Sequence, residues 1–492
     1  MINGERYKTL FSEEALFNHL QEWENSQGLV GFASYNLSRS LQKISIQLQE
    51  LKSQTNNIPS VILVESDPLK FIVYFFAGII SGVDLFLCDP DWQTEEWQQV
   101  FNLVKPDLIL GNGARETGRL GDGKDRRDGE DQSIIGIPTG GSSGTIRFAV
   151  HTLSSLTASV SGFAQYFGIE KINSCCTLPL YHVSGLMQLW RCFITQGKLA
   201  IFPYKSLKQG KIPDIAPENF FLSLVPTQLK FLLDSNPNWL AEFNSVLLGG
   251  APAWRSLLKQ ARDYNVKLCP TYGMTETASG IVYLRSRRGQ QSCAFGEPLP
   301  LRVELRKRGA HDFLNYNSSS GKVLPHATVE IIDNQGKSLN FGQIGTIKIQ
   351  ADSLYFGYYP DFIRAESLIT GDLGYFDAQG FLYIVGRKSQ KIITGGKNVF
   401  PAEVETAILA TELVKDVCVI GLPDDQWGQV ITAVFVPIES FDLNLLKQKL
   451  QLQLSKYKHP KNWLEVDSLQ SSDRCKINYL KITQLALQKL NS

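Results

Sequence analysis

Short apolar runs alternate with amphipathic stretches of helical period between residues 58 and 285. Strands are predicted, because each run is short and almost wholly apolar, at SVILVE, DLFLCD, DLILGN, FFLSLVP, SVLLGG and VKLCPTYG. Helices are predicted at TEEWQQVFNLV, SLTASVSGFAQYF, TQLKFLLD and AWRSLLKQARDYN. Such alternation is typical of a parallel sheet with helices packed on its faces. We therefore predict an α/β fold for this part of the chain.

One apolar stretch, FIVYFFAGIISGV at residues 71–83, raises the alternative of a membrane span. It ends at Asp84, whereas a span requires roughly 20 apolar residues, so we predict a buried helix instead. The N-terminus carries early acidic residues and no uninterrupted apolar core, which is not typical of a secretory signal. We expect a chain without a membrane span.

The pattern changes twice further along the chain. After residue 320, TVEIIDNQGKSL, GTIKIQA and GYFDAQGFLYIVGR predict a smaller antiparallel β-region. From about Lys388, a helix start at PAEVETAILA precedes the strands VCVIGL and ITAVFVPI, and a second helix carries Leu443, Leu446, Leu450 and Leu454 on one face. We predict two domains: 1–387, with layered α/β sheets plus the small β-region, and 388–492, a small mobile α+β domain.

Composition narrows the functional classes. The 492 residues include 49 basic and 48 acidic side chains, so the net charge of +1 offers no global footprint for nucleic acid. Eight cysteines occur without a C-x-x-C pair, which favours a reducing, cytoplasmic compartment. Residues 111–132 are rich in Gly and charge, and we predict a mobile surface loop there. The sequence is silent on oligomeric state.

The stretch IPTGGSSGTIRFAVHT at 137–152 places Gly, Ser and Thr side by side between two β-like segments. It is either an ordinary turn or an anion cradle in which amides and hydroxyls converge on phosphate oxygens. It lacks the Gly-Lys pair of the ATPase P-loop. Its neighbouring motifs must therefore decide between the two.

Five further stretches follow it: LPLYHVSG (178–185), LLGGAP (247–252), TYGMTET (271–277), TGDLGYFDAQGFLYIVGRKSQKIITGGKNVFPAEVE (370–405) and SSDRCKIN (471–478). In order and spacing, the six motifs resemble the signatures of the acyl-adenylate-forming superfamily. This superfamily includes acyl-CoA ligases, luciferases and peptide-synthetase adenylation domains. The resemblance runs from about residue 60 to the C-terminus, and the block at 370–405 is its most specific part.

The resemblance implies an enzyme that uses ATP and Mg²⁺ to activate a carboxylic acid. The phosphates would be held by Thr139, Gly140, Gly141, Ser142, Ser143 and Gly144. It implies Tyr272 at the adenine and Asp372 and Arg387 at the ribose, with Gly273 as a further nucleotide-binding residue. Glu276 would bind the metal, Thr275 would contact the α-phosphate, and Lys476 would bridge the substrate carboxylate and the phosphate.

Each residue also has an ordinary alternative: Tyr272 as a half-buried aromatic, Asp372 as a turn residue, Glu276 and Lys476 as solvated charges. Two motifs also depart from the superfamily. Where Pro-Lys-Gly is usual after the glycine-rich loop, the chain reads Thr145-Ile146-Arg147-Phe148, so Arg147 replaces the usual lysine and Phe148 suggests a stiffer loop. Before Lys476, Arg474-Cys475 replaces the usual Ser-Gly, which affects the placement of the lysine rather than its identity.

The resemblance also implies a second half-reaction, reached by rotation of the small domain about a hinge at Lys388 and Ser389. Gly395 and Gly396 would then line a tunnel for a pantetheine arm, with CoA as the acceptor; a Gly-Gly hairpin turn is the ordinary alternative. A separate carrier protein stays open as the acceptor.

The motifs are most similar to those of o-succinylbenzoate-CoA ligases of menaquinone and phylloquinone biosynthesis. That likeness places His182, Ser184, Gly249, Gly250 and Ala251 at the acyl pocket, with His182 also a candidate catalytic residue. A core histidine is the ordinary alternative for His182. Two other functions remain open: another acyl-CoA ligase or stand-alone carrier-protein adenylation enzyme, and a degenerate relative that binds nucleotide without turnover.

Overall fold

The computed structural model describes residues 10–32, 35–55, 57–112, 133–139, 145–251, 253, 255–285, 319–395, 397–424, 426–469 and 479–491. The helices are α1 Glu13–Asn25, α2 Leu37–Gln54, α3 Pro68–Ser81, α4 Thr94–Val104, α5 Leu153–Phe167, α6 Val183–Ile194, α7 Tyr204–Lys208, α8 Pro226–Ser235, α9 Pro237–Glu242, α10 Arg255–Asp263, α11 Pro401–Leu409, α12 Leu443–Gln451 and α13 Tyr479–Asn491.

The strands before residue 285 are β1 Leu29–Val30, β2 Ser60–Val64, β3 Asp84–Cys88, β4 Leu108–Leu110, β5 Ile135–Thr139, β6 Arg147–His151, β7 Ser174–Cys176, β8 Leu199–Ile201, β9 Phe221–Leu224, β10 Ser245–Leu248, β11 Leu268–Met274 and β12 Ser279–Tyr283. The later strands are β13 Lys322–Val323, β14 Ala327–Ile332, β15 Gly345–Ala351, β16 Leu368–Phe376, β17 Leu382–Arg387, β18 Ile392–Thr394, β19 Lys397–Val399, β20 Val414–Asp424, β21 Gly428–Pro437 and β22 Asn462–Glu465.

Two mainly parallel sheets build the N-terminal part. The first has the order β1-β8-β7-β9-β10-β11-β12-β13 and is parallel as far as β11. The second has the order β4-β2-β3-β5-β6, and only β6 runs antiparallel. The predicted α/β alternation is confirmed.

Helices α3, α5 and α6 lie between these two sheets, since their side chains share one buried core with residues of both. Within this core the rings of Phe76 on α3 and Phe193 on α6 have centroids 4.5 Å apart. The apolar stretch at 71–83 is therefore a buried helix, as predicted. Within the described ranges, no helix is long and apolar enough to cross a membrane.

The two later β-regions also match their predictions. Strands β14-β15-β16-β17 form an antiparallel sheet, with β16 and β17 joined at the predicted Ala-Gln-Gly turn. Beyond residue 388, β19-β18-β21-β20 form a further sheet on which β22 pairs with β21, and α11 and α12 pack against it. Leu446 and Leu450 are buried on α12, but Leu454 lies beyond the end of that helix.

Helix α12 is shorter than predicted, although Leu454 still joins the same core. The loop predicted at 111–132 lies almost wholly outside the described residues. The cysteines within the described ranges are all buried free thiols: Cys88, Cys175, Cys176, Cys192, Cys269 and Cys418.

Candidate functional site

The predicted site residues collect where parallel strands end. In the first sheet, Gly249 follows β10, Tyr272 lies near the end of β11, and His182 follows β7 at the residue that precedes α6. In the second sheet, Thr139 is the last residue of β5. The carboxyl ends of parallel strands meet at one edge of a sheet, which is the usual position of a ligand crevice in open α/β folds.

Three predicted nucleotide-binding residues meet at one carboxylate. The Tyr272 hydroxyl donates to Asp372 Oδ2 at 2.8 Å, and Arg387 Nε donates to Asp372 Oδ1 at 3.1 Å. Asp372 and Arg387 face each other across β16 and β17, so sheet register brings this pair together. Asp372 is thus a buried strand residue and not a turn residue. Burial and the Asp372 charge raise the pKa of Tyr272, which keeps its hydroxyl a donor.

The segment Thr275–Thr277 forms a short 3-10 turn directly after β11. All three of its carbonyl oxygens are held: His151 Nε2 donates to Thr275 O at 2.8 Å, the amide of Tyr355 to Glu276 O at 2.9 Å, and Ser353 Oγ to Thr277 O at 3.0 Å. Burial lowers the pKa of His151 to about 4, so this imidazole is neutral. The turn is anchored to two other parts of the chain.

The Glu276 side chain has its own partner, because the Tyr358 hydroxyl donates to Glu276 Oε1. Sequence reasoning missed His151, Ser353, Tyr355 and Tyr358. No periodicity or spacing in the sequence links these residues to Glu276. Only His151 could have been suspected as a site residue, because it is a histidine at the end of the strand that follows the glycine-rich loop.

Strands β5 and β6 form the hairpin that frames the predicted phosphate loop. Thr139 and Arg147 are paired across it, while Gly140, Gly141, Ser142, Ser143 and Gly144 lie outside the described residues. Phe148 is buried against Phe86, with ring centroids 5.3 Å apart, so it anchors β6 as a core residue.

The residues present fit Mg²⁺. Thr139 Oγ1 is buried and has no hydrogen-bond partner among the described residues, so a hard oxygen donor is available beside the loop. The described ranges contain no cluster of three or more His, Cys, Asp or Glu that could bind a metal by itself. Mg²⁺ characteristically takes one or two carboxylates together with substrate phosphates, which matches a single Glu276 beside a phosphate loop.

Among the predicted acyl-pocket residues, His182 lies next to the second large sheet. His182 Nε2 is 3.7 Å from Asp89 Oδ2, and Asp89 directly follows β3 of the second sheet. Ser184, Gly250 and Ala251 are exposed, and Gly249 is half-buried. The structure thus brings Asp89, which the sequence did not suggest, to the candidate pocket.

Two charged residues near these motifs have other roles. Arg191 is 3% exposed; its guanidinium donates to the Tyr283 hydroxyl at 3.1 Å and lies 4.3 Å from the centre of the Phe163 ring. Lys230 forms an exposed ion pair with Asp234 on α8 at 2.6 Å.

The predicted tunnel and hinge residues lie in the C-terminal part. Gly395 has φ +54°, and a Cβ there would come within 2.9 Å of the Trp427 ring, so the backbone needs glycine. Lys461 Nζ lies 3.8 Å from the centre of the Trp427 ring.

The predicted hinge residues Lys388 and Ser389 form a 3-10 turn directly after β17. Gly396 and Lys476 lie outside the described residues; α13 begins three residues after Lys476.

Comparison with known proteins defines the family. Residues 111–359 match the AMP-binding enzyme family, and residues 403–474 match the AMP-binding enzyme C-terminal domain. The chain belongs to the AMP-binding enzyme family. The predicted superfamily, the predicted enzyme class of AMP-forming acid-thiol ligases, and the predicted fold of a large N-terminal and a smaller C-terminal domain are confirmed.

Curated relatives carry the name 2-succinylbenzoate–CoA ligase. The protein of this name from Listeria monocytogenes is 31% identical over 355 residues, covering 70% of this chain and 68% of the relative. The one from Bacillus subtilis is 27% identical and covers 82% and 78%. An indoleacetate–CoA ligase from Aromatoleum aromaticum is 28% identical over 64% of this chain.

Solved structures support the fold. The Bacillus subtilis o-succinylbenzoate CoA synthetase in complex with its acyl-adenylate intermediate superposes with a TM-score of 0.72, at 23% identity, covering 90% of this chain and 92% of that chain. An ATP-bound MatB from Rhodopseudomonas palustris gives 0.72 at 20% identity and covers 91% and 92%. At these identities the likeness shows the fold alone.

Proposed function

We propose that this AMP-forming acid-thiol ligase converts o-succinylbenzoate to its acyl-adenylate and then to the CoA thioester. Such a reaction would serve menaquinone or phylloquinone biosynthesis, in the cytoplasm. Curated relatives of that name, at about 30% identity over 70% of the chain, support the choice of acid. The observation that supports the adenylation chemistry is the meeting of Tyr272 and Arg387 on the buried Asp372; Tyr272 lies on β11, the strand that leads into Glu276.

ATP would bind along the edge that these residues define. Each Asp372 oxygen accepts one hydrogen bond from the protein and keeps a lone pair for a ribose hydroxyl. Tyr272 would lie at the adenine beside Gly273, and Arg387 would support the ribose. The phosphates would reach Thr139 and the loop of Gly140, Gly141, Ser142, Ser143 and Gly144. Thr275 would contact the α-phosphate, and Glu276 would hold Mg²⁺.

The first half-reaction brings two anions together. A carboxylate oxygen of the acid attacks the α-phosphorus of ATP, the bond from that phosphorus to the bridging oxygen breaks, and pyrophosphate leaves. Bound Mg²⁺ would supply positive charge to the phosphate oxygens. Lys476 would bridge the carboxylate and the α-phosphate, and the anchored Thr275–Thr277 turn would hold its donors in place before the substrates arrive.

The second half-reaction would use a different orientation of the C-terminal domain, reached about Lys388 and Ser389. The thiol sulfur attacks the acyl carbon, the thiol proton is lost, and the bond to the AMP oxygen breaks. Gly395 and Gly396 would leave room for the pantetheine arm. Lys461 and the Trp427 ring beside Gly395 offer a cation and an aromatic face, which suits an acceptor with phosphate groups and an adenine.

His182, Ser184, Gly249, Gly250 and Ala251 would line the acid pocket. The carboxylate of Asp89 at 3.7 Å would orient the His182 ring, and the small residues of this set would admit a flat aromatic ring. A CoA ligase for another aryl acid is the second candidate, because the indoleacetate–CoA ligase relative belongs to that class.

Pyrophosphate release with purified protein, Mg²⁺ and ATP tests the proposal across o-succinylbenzoate, indoleacetate, benzoate and a fatty acid, each with and without CoA. We expect release that depends on o-succinylbenzoate, and a thioester only when CoA is present. Release with indoleacetate or benzoate but not with o-succinylbenzoate would favour the second candidate, a CoA ligase for another aryl acid. Nucleotide binding without release for any acid would identify a degenerate relative.

A further inference from the structure

The stretch LYFGYYP, residues 354–360, belongs to none of the motifs that suggested the function, yet it lies against the candidate site. Its backbone pairs with β6 on the side away from β5. Phe356 N donates to Val150 O at 2.7 Å, and Tyr359 N donates to Phe148 O at 3.0 Å. The strand that follows the phosphate loop therefore holds this stretch in register.

Gly357 permits the local course of the chain. Its φ is +123°, and a Cβ at this position would lie 2.8 Å from Phe362 Cβ and 2.9 Å from Phe362 Cα. Only glycine adopts such a conformation without strain in so little space. The backbone at Gly357 thus sets the direction in which the next side chain, Tyr358, leaves the strand.

Tyr358 contacts two functional elements at once. Its hydroxyl donates to Glu276 Oε1, and the guanidinium carbon of Arg147 lies 4.4 Å from the centre of its ring. Arg147 is the first residue of β6, directly after the phosphate loop, where the superfamily usually has lysine. One phenol therefore connects the end of the phosphate loop with the candidate metal-binding carboxylate.

Both contacts depend on the chemistry of tyrosine. The phenol donates a hydrogen bond to a carboxylate, and its ring face attracts a guanidinium. A phenol keeps its proton near neutral pH, so the hydroxyl is available as a donor. Bonding at Oε1 orients the carboxylate and limits its rotation, which lowers the entropy that metal binding must remove.

We propose that Tyr358 is a positioning residue that orients Glu276 for the metal–ATP complex and ties that orientation to Arg147 at the phosphate loop. The inference rests on the proposed function, because it takes Glu276 as the metal-binding residue. Tyr358 takes part in no chemical step. It acts on the geometry of the Glu276 carboxylate and on the position of Arg147 at the end of the phosphate loop.

Tyr358→Phe separates the two contacts, since it removes the hydroxyl and keeps the ring under Arg147. We expect the affinity for Mn²⁺–ATP, measured by titration calorimetry with Mn²⁺ as the probe, to fall about tenfold, the scale of one hydrogen bond to a charged group. Thioester formation from synthetic acyl-adenylate plus CoA should change less than about twofold, because it uses neither ATP nor the metal.

Tyr383→Phe is the matched control. Its hydroxyl also donates to a carboxylate, Asp377 Oδ2 at 3.3 Å, at the turn end of the β16–β17 hairpin, whereas Asp372 and Arg387 lie at the opposite end of the same hairpin. Tyr358→Leu should weaken binding further than Tyr358→Phe, and Arg147→Ala should have a smaller effect in the Tyr358→Leu background than in the wild type. Such coupling is expected only if the stacking contact matters.

The proposal is overturned if Tyr358→Phe binds Mn²⁺–ATP as tightly as Tyr383→Phe, or if Tyr358→Phe slows both half-reactions equally, as general loss of structure would. Binding of Mn²⁺–ATP does not depend on which acid is the substrate. A wild type that binds Mn²⁺–ATP but releases no pyrophosphate with o-succinylbenzoate would therefore contradict the proposed function. The Mn²⁺–ATP affinities of Tyr358→Phe and Tyr383→Phe would still test the role of Tyr358.

Discussion

At the scale of single residues, Asp372 is the centre of the candidate nucleotide site. It accepts from Tyr272, a hundred positions earlier in the chain, and from Arg387, its neighbour across the sheet. The guanidinium is the stronger donor, since it carries a charge and the phenol does not. A substitution at Asp372 affects both contacts, whereas a substitution at Tyr272 removes only the weaker one. Substitutions at the carboxylate should therefore weaken ATP binding more than substitutions at the phenol.

Asp372→Asn should raise the KM for ATP by at least about tenfold, because it removes the charge that holds Arg387 and one acceptor for ribose. Tyr272→Phe should raise it less, since Arg387 still orients Asp372. Initial-rate pyrophosphate release at varied ATP measures both. Equal KM values in the wild type and Asp372→Asn would show that Asp372 does not contact the nucleotide.

His326 supplies a prediction about stability and pH. Its Nε2 lies 3.1 Å from Ser353 Oγ, and burial lowers its pKa to about 4, against about 6.5 in an unfolded chain. The unfolded state therefore binds a proton between these values while the folded state does not. The free energy of unfolding should fall as the pH is lowered through this window, by about 1.4 kcal/mol per unit for this group.

His326→Gln lacks this proton, so its free energy of unfolding should fall less steeply than that of the wild type between about pH 6.5 and 4. Urea denaturation of both proteins at several pH values measures the two slopes. Glu405, whose pKa burial raises to about 7, contributes in the opposite direction but equally to both proteins, so it cancels in the difference. Parallel slopes would contradict the assignment.

At the scale of elements, the β18–β19 hairpin is built around Gly395, whose amide donates to Trp427 O at 2.9 Å. The hairpin is thus attached to the turn before β21, and a side chain at Gly395 would collide with the Trp427 ring. If this hairpin lines the thiol tunnel, its shape matters only for the second half-reaction.

Gly395→Val should reduce thioester formation by more than about tenfold and leave release of pyrophosphate in a single turnover nearly unchanged, because valine is strained at positive φ and would narrow the tunnel. Gly210→Val is the matched control: Gly210 also has positive φ, +76°, but lies in an exposed turn with nothing within 4 Å of a Cβ. If Gly395→Val loses both half-reactions and the control variant loses neither, the hairpin contributes to adenylation as well, which contradicts a role in thioester formation only.

At the scale of the whole molecule, the proposal requires two orientations of the C-terminal domain. Lys476 would act in the first and Gly395 in the second, so the two residues would serve different steps on the same small domain. Lys388 Nζ donates to Asn334 Oδ1 at 3.3 Å, so the turn predicted to be the hinge contacts the turn after β14.

Lys476→Ala should lower adenylation by about a hundredfold or more, the scale of losing one oriented charge in a transition state, while thioester formation from synthetic acyl-adenylate persists. Lys447→Ala, an exposed lysine on α12 of the same domain, is the control and should change neither step. An equal loss in both half-reactions would contradict the two-orientation mechanism.

The sequence predicted most of the architecture because local periodicity reports burial directly. The strands and helices predicted between residues 58 and 285, the antiparallel β-region and the α+β segment after 388 all have counterparts. Helices α1 and α2 were not predicted, although Leu37, Leu41 and Leu48 follow a helical spacing on α2. Motif order also placed Tyr272, Glu276, Asp372 and Arg387 near one another, and the structure joins three of these at Asp372.

The sequence by itself determined the fold class, the family and the residues whose spacing forms a motif, since these depend on patterns along the chain. Only the tertiary structure decided that Tyr272 reaches Asp372, that His151 and Ser353 hold the Thr275–Thr277 turn, and that Tyr358 connects Arg147 with Glu276. Such contacts join residues about 80 to 210 positions apart, and they depend on sheet order and register, which no local pattern encodes.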